Sequence, residues 1–146
     1  MLNIDPTITD SFYRYKMPSI TLAHEKNNTV LLNLYEISSS LNFDVELIHK
    51  YITMELGCAG KIDKNNRIIL NGKFDSNHLQ KILYNFIENY ILCPQCRNPE
   101  GKYKIKNNSL RFECLACGCK SKFGENKFLI HVVKKGVTQK KSIYEQ

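Results

Sequence analysis

Four cysteines constrain this chain more than any other feature: Cys93 and Cys96 in "CPQC", and Cys114 and Cys117 in "CLAC", with seventeen residues between the inner pair. A CxxC turn brings two thiolates to one side of a tight knuckle, and two knuckles supply the four sulfurs that zinc takes tetrahedrally at about 2.3 Å. The intervening length fits a β-hairpin that returns the second knuckle to the first. A module of roughly forty residues has too little apolar surface to hold itself together, so metal binding would supply much of its folding free energy. The pattern predicts a ribbon around one structural zinc ion. Four sulfur ligands leave no open position for a catalytic water, and neither CxxC opens a helix in a βαβ unit as a redox motif would. Cys119, two residues past the last ligand, is expected to point away from the knuckle, and Cys58 to be a small buried apolar residue.

A chain of 146 residues with 42% apolar content can bury one ordinary core and a small satellite, not two full domains. Twenty-one Lys and Arg against fourteen Asp and Glu give +7. That sign concentrates polyanions around the protein, which makes nucleic acid a candidate partner. No apolar run approaches the roughly 20 residues needed to span a bilayer, and no signal peptide precedes the fold. The expectation is a soluble, cytoplasmic protein without a membrane partner.

The fold class is α+β: a small α/β domain followed by the C4 ribbon. Residues 1–11 lack a period and contain Pro6, and they read as a flexible tail. Residues 12–90 form the α/β domain. In it, "SITLAHEKNNTVLLNL" and "KIDKNNRIILNG" predict two hairpins, and "YEISSSLN" a short helix. A second helix begins at Asp44 and ends at Gly57, with Val45, Ile48, Ile52 and Leu56 on one stripe and Glu46, Lys50 and Thr53 off it. "DSNHLQKILYNFIENY" predicts a third, capped by Asp75 or Ser76, whose apolar face is Leu79, Ile82, Leu83, Phe86, Ile87 and Tyr90. Residues 91–135 carry the ribbon, with "KYKIK", "LRFEC" and "KFLIHVV" as its strands, and residues 136–146 read as a second flexible tail.

"FYRYKMP", residues 12–18, is a basic and aromatic patch outside any periodic segment. Three readings apply. Phe12 and the tyrosines can latch a tail while Arg14 and Lys16 stay solvated. The rings can stack on RNA bases while the charges meet phosphates. A lone arginine on an arm can enter another protein's nucleotide site and stabilise the charge of phosphoryl transfer, an effect of about 10³ to 10⁵ in rate.

"FYRYKMP", "ELG" at residues 55–57, "NG" at residues 71–72 and "LCPQCRNPE" at residues 92–100 together resemble the amino-terminal domain of the eukaryotic translation initiation factor 5 family, over about residues 10–135. The related β subunit of initiation factor 2 shares the α/β plus zinc-ribbon plan. The resemblance implies a GTPase-activating protein for initiation factor 2, acting on the small ribosomal subunit during start-codon selection. It is not an enzyme in itself. By resemblance the essential arginine maps onto Arg14, a functional basic position onto Lys50, and the supporting or RNA-binding positions are Tyr13, Tyr15 and Lys16. The domain also resembles initiation factor 1 in fold, which implies contacts with ribosomal RNA and initiator tRNA near the decoding site. The partners so implied are the γ and β subunits of initiation factor 2, the small subunit and these RNAs. Family members continue into a carboxy-terminal helical-repeat domain beyond the 146 residues here. Two alternatives stand beside the activator: a β-subunit-like scaffold, and a ribosome-bound module acting by occupancy of the decoding region.

Other constellations carry less. His24, His49, His78 and His131 are scattered away from any Cys or carboxylate at ligand spacing, and Ser38, Ser39 and Ser40 have no paired histidine. No Gly-rich loop resembles a phosphate cradle. "GKYKIKNN" and "KSK" place basic residues on the ribbon, where RNA contact competes with a merely solvated face.

Overall fold

The computed structural model describes residues 2–65, 67–124 and 126–135. Strand β1 (Leu2–Asn3) pairs antiparallel with β2 (Lys16–Met17), Leu2 opposite Met17. The Ile4 amide then donates to the Tyr15 carbonyl at 3.0 Å, and Ile4, Asp5 and Met17 are buried. The flexible tail expected over residues 1–11 is therefore packed at residues 2–5, while Pro6, Thr7, Thr9, Asp10 and Ser11 are exposed. Its anchors are too far away in sequence to leave a local period.

Strands β3 (Leu22–Glu25), β4 (Asn28–Leu31), β5 (Gly60–Ile62) and β6 (Ile68–Asn71) make an antiparallel sheet in the order β3-β4-β6-β5. Both expected hairpins are present. In the first, Glu25 faces Asn28, leaving Lys26 and Asn27 as the turn, with Lys26 at φ 56°. A two-residue turn with positive φ matches the right-handed twist of its strands. In the second, the Asp63 carboxylate accepts from the amides of Asn65 and Arg67, both at 2.9 Å, and closes the turn into β6.

Helices α1 (Leu34–Leu41), α2 (Val45–Leu56) and α3 (Ser76–Phe86) cover the sheet. Asp44 caps α2 through the Glu46 amide, Gly57 ends it at φ 65°, and Asp75 caps α3 through the His78 amide. The six apolar positions expected on α3 and its extension are all buried. On α2 the buried face is centred on Leu47, Ile48, Tyr51 and Ile52 and includes Thr53, which lies off the stripe expected from the sequence. The face is wider than one stripe because α1, α3 and the last helix all pack against α2. Past Phe86 the chain widens into a π-helical turn, Ile87–Ile91, with the Leu92 amide donating to the Ile87 carbonyl at 2.9 Å.

The remaining strands β7 (Gly101–Lys106), β8 (Ser109–Cys114) and β9 (Lys120–Lys122) form a three-stranded antiparallel sheet. The third strand is thus "KSK", and "KFLIHVV", expected as a strand, lies in helix α4 (Lys127–Lys135). Asn126 accepts from the Leu129 amide at 2.8 Å, as an N-cap does. Phe128, Leu129 and Val132 are buried while Ile130 is exposed, which is helical spacing. The Phe128 ring lies 5.2 Å from Tyr51 and 5.1 Å from Tyr90. Leu110, Phe128, Leu129 and Val132 therefore belong to the same core as the sheet and helices before them. The tail expected over residues 136–146 lies outside the described residues.

Candidate metal centre and arginine loop

Cys93 and Cys96 follow the π-turn, while Cys114 ends β8 and Cys117 follows it, so the β7–β8 hairpin returns the second knuckle to the first. The four sulfurs lie within 4.8 Å of one another, with Cys93 Sγ 3.6 Å from Cys117 Sγ and Cys96 Sγ 3.6 Å from Cys114 Sγ. A tetrahedral ion with metal–sulfur bonds of about 2.3 Å places its sulfurs about 3.8 Å apart, so this donor set fits a metal with little movement. Burial pushes the Cys93 thiol up, but the backbone amides of Cys96 and Gln95 and the Cys117 side chain outweigh it and bring it to about 6. Cys114 is pushed up to about 12, first by burial and then by the neighbouring thiols. Four thiolates cannot crowd together without a cation, and a divalent ion in their midst resolves the conflict. Cys119 does not point away as expected: it is half-buried against this cluster and interacts with Cys93, without joining the four. Cys58 is half-buried at the margin of the main core.

Residues 4–15 close a compact loop between β1 and β2. Asn3 Nδ2 donates to the carbonyls of Ile8 (2.8 Å) and Asp10 (3.0 Å), Asp10 accepts from the Phe12 amide (2.9 Å), and Lys16 Nζ reaches Asn3 Oδ1 and the Ser11 carbonyl. Tyr13 and Tyr15 meet edge to face at 5.5 Å. Burial, and then the Asp5 charge, push the Tyr13 phenol to about 12. Burial and the Glu100 carboxylate do the same for Tyr15. Lys16 is thus engaged in closing the loop. Arg14 is exposed, its guanidinium carbon 5.8 Å from the Tyr15 ring centroid. Phe12, expected to help latch the segment, is instead 92% exposed. Lys50 is half-buried on α2, and its charge adds to burial in holding His49 below the usual imidazole range.

Sequence reasoning missed the groups that hold this loop in place. Asp5, 1% exposed, accepts from Arg97 Nε at 3.0 Å and Nη2 at 3.3 Å, and from Thr7 Oγ1 at 2.7 Å. The same guanidinium donates to Glu88 Oε1 at 2.8 Å and Oε2 at 2.7 Å. Arg97 follows Cys96 directly, but its partners are 92 and 9 residues away. No spacing rule connects such positions.

The ribbon's outer face is strongly basic. Strand register puts Lys104, Arg111 and Lys122 in one cross-strand row and Lys102, Glu113 and Lys120 in the next. These side chains line a cleft of about 370 Å³. Like charges directly opposite in a sheet repel, and of these six only Glu113 is acidic, 3.9 Å from Lys104.

The fold and site together define a class: a small α/β domain sharing its core with a ribbon whose four cysteines fit a metal ion. The family described as the domain found in initiation factors 2B and 5 matches residues 6–120. The eukaryotic translation initiation factor 5 of Caenorhabditis elegans is 42% identical over 123 residues, covering 81% of this chain and 28% of that protein. The probable factor 5 of Schizosaccharomyces pombe is 35% identical over 149 residues, covering 97% and 38%. The translation initiation factor 2 subunit beta of Archaeoglobus fulgidus is 36% identical over 107 residues, covering 73% of this chain and 77% of that protein. The chain belongs to this family of translation initiation factor domains, and it spans well under half the length of the factor 5 relatives it matches. Among the described residues no helix is long and apolar enough to cross a membrane.

Proposed function

We propose that this protein acts as a GTPase-activating factor for initiation factor 2 on the small ribosomal subunit during start-codon selection, with Arg14 as the residue that enters the partner's site. The observation that carries this reading is the presentation of Arg14. Asp5 is buried and Tyr13, Tyr15 and Lys16 are half-buried, whereas Phe12 and Arg14 stand exposed beside Asp10 and Ser11. A positioned guanidinium stabilises charge developing on the transferred phosphoryl group, and such groups raise hydrolysis rates by about 10³ to 10⁵. Phe12 supplies apolar contact beside it, of the kind that anchors an interface. Four sulfurs at tetrahedral spacing favour zinc as the ribbon's ion.

Single-turnover GTP hydrolysis by ribosome-bound initiation factor 2 tests the assignment. Arg14→Ala is expected to lower the rate by orders of magnitude while binding persists; an unchanged rate in the bound fraction overturns it. Phe12→Ala is expected to weaken binding by about tenfold and leave the saturated rate within a few-fold.

The basic ribbon face supports a second reading, in which the protein works as a β-subunit-like scaffold or occupies the decoding region through ribosomal RNA and initiator tRNA. Among the described residues this face carries no exposed aromatic platform, so it suits phosphate contacts, which position a protein without reading sequence. Retained hydrolysis with Arg14→Ala, together with lost ribosome binding for Arg111→Ala, would favour it.

A further inference from the structure

We propose that Arg97 is a positioning residue that fastens the loop carrying Arg14 to the first metal knuckle, so that closure of the four-sulfur site sets where the loop stands. Arg97 is the first residue after Cys96 and completes the knuckle turn. It adopts φ 61°, its amide donates to the Cys93 carbonyl at 2.9 Å, and the Cys93 amide donates to the Asn98 carbonyl at 3.1 Å. Its backbone is therefore set by the positions of Cys93 and Cys96, the two residues that one metal ion would hold together. Its side chain grips the loop through Asp5 and helix α3's extension through Glu88, four hydrogen bonds in all. Glu100, three residues on, meets Tyr15, the residue next to Arg14. The loop is thus held at both ends by the segment that leaves the knuckle.

Asp5 makes the arrangement directional. A carboxylate this enclosed is costly to leave unpaired, so Asp5 stays inside only while Arg97 is in place. If the knuckle opens, Arg97 moves, Asp5 is drawn towards water, and the loop that follows it is released. The consequence for GTP hydrolysis rests on the arginine-finger reading above; the fastening itself does not.

Hydrogen exchange on the full chain, zinc-loaded and after chelation, tests it, with peptides covering residues 2–17 as the readout. Arg97→Ala is expected to speed exchange there about tenfold or more while β6 and α2 keep their protection. Asp5→Asn should do the same by removing the charge that Arg97 pairs with, whereas Thr7→Val, which leaves the Arg97 pair intact, should change exchange far less. Chelation should release the same peptides in the wild type. Unchanged exchange in Arg97→Ala, unchanged exchange in Asp5→Asn, or protection that survives chelation would each overturn the proposal. In hydrolysis assays, Arg97→Ala should lower the single-turnover rate at saturating partner, with partial recovery in Arg97→Lys. If Arg14→Ala is silent while exchange behaves as described, the finger reading fails and the fastening stands. If Arg14→Ala abolishes stimulation while Arg97→Ala changes neither exchange nor rate, the fastening fails.

Discussion

Asp5 carries an acid sensitivity that its position explains. Burial raises its pKa, but the Arg97 and Thr7 hydrogen bonds prevail and hold it below the usual carboxylate range; Glu88 is lowered mainly by Arg97. Both groups have folded values below the unfolded ones of about 4. Their stabilisation is complete above that pH and is lost as pH falls through the depressed folded values. Fluorescence or exchange at the loop should therefore report release as the pH falls below about 4, before global unfolding, and Asp5→Asn should remove this step. Gly101 is sensitive for a steric reason. A Cβ there would run into the Phe112 ring, which packs with Cys93 and Cys114 beneath the metal site. Gly101→Ala is expected to destabilise the ribbon by about 1–3 kcal/mol, read as a lower Tm of the zinc-loaded protein.

At the scale of elements, legibility followed local pattern. The three helices of the α/β domain, both hairpins and the clustering of the four cysteines could be read because each leaves its mark within a few residues: caps at Asp44 and Asp75, a stop at Gly57, cysteines paired in CxxC turns. "KFLIHVV" misled because a short apolar run has no unique period, and a strand and a buried helix segment look alike there. Asn126 was the available clue, a capping residue one position before the helix. Asn126→Ala should cost about 0.5–2 kcal/mol, measurable as a shift in denaturant midpoint at constant slope. The loop before β2 was illegible for another reason. Besides its own Asn3 and Lys16 hydrogen bonds, what fixes it to the rest of the protein is Arg97, a contact that exists only after the ribbon has folded back onto the first residues.

For the whole molecule, the shared core means that an ion held by the four cysteines would stabilise more than the ribbon. Phe128 joins Tyr51, Phe86 and Tyr90 across the boundary expected at residues 90–91. Chelation is accordingly expected to lower protection in α4 and along the α2 face it covers, as well as in residues 91–135; calorimetry should show one cooperative transition for the zinc-loaded chain. The basic face makes a separate prediction for the assembled protein. Binding to structured RNA should weaken linearly in the logarithm of salt concentration, and each neutralising change, Lys104→Ala or Lys122→Ala, should reduce that slope by about one. A preserved slope would assign the contact elsewhere.

The widened turn at Ile87–Ile91 sets the direction in which Cys93 faces. One more residue per turn there lets Ile87, Tyr90 and Ile91 all reach the interior just before the first sulfur. A π-turn is an α-turn carrying one extra residue, so deleting one residue from it would let an ordinary helix close the same turn with Cys93 still facing its companions. The regular helix α3 before it has no such slack, because each residue there corresponds to a rotation of roughly 100°. A one-residue deletion in α3 would swing Cys93 away with every cysteine still present, a frameshift in space rather than in reading frame.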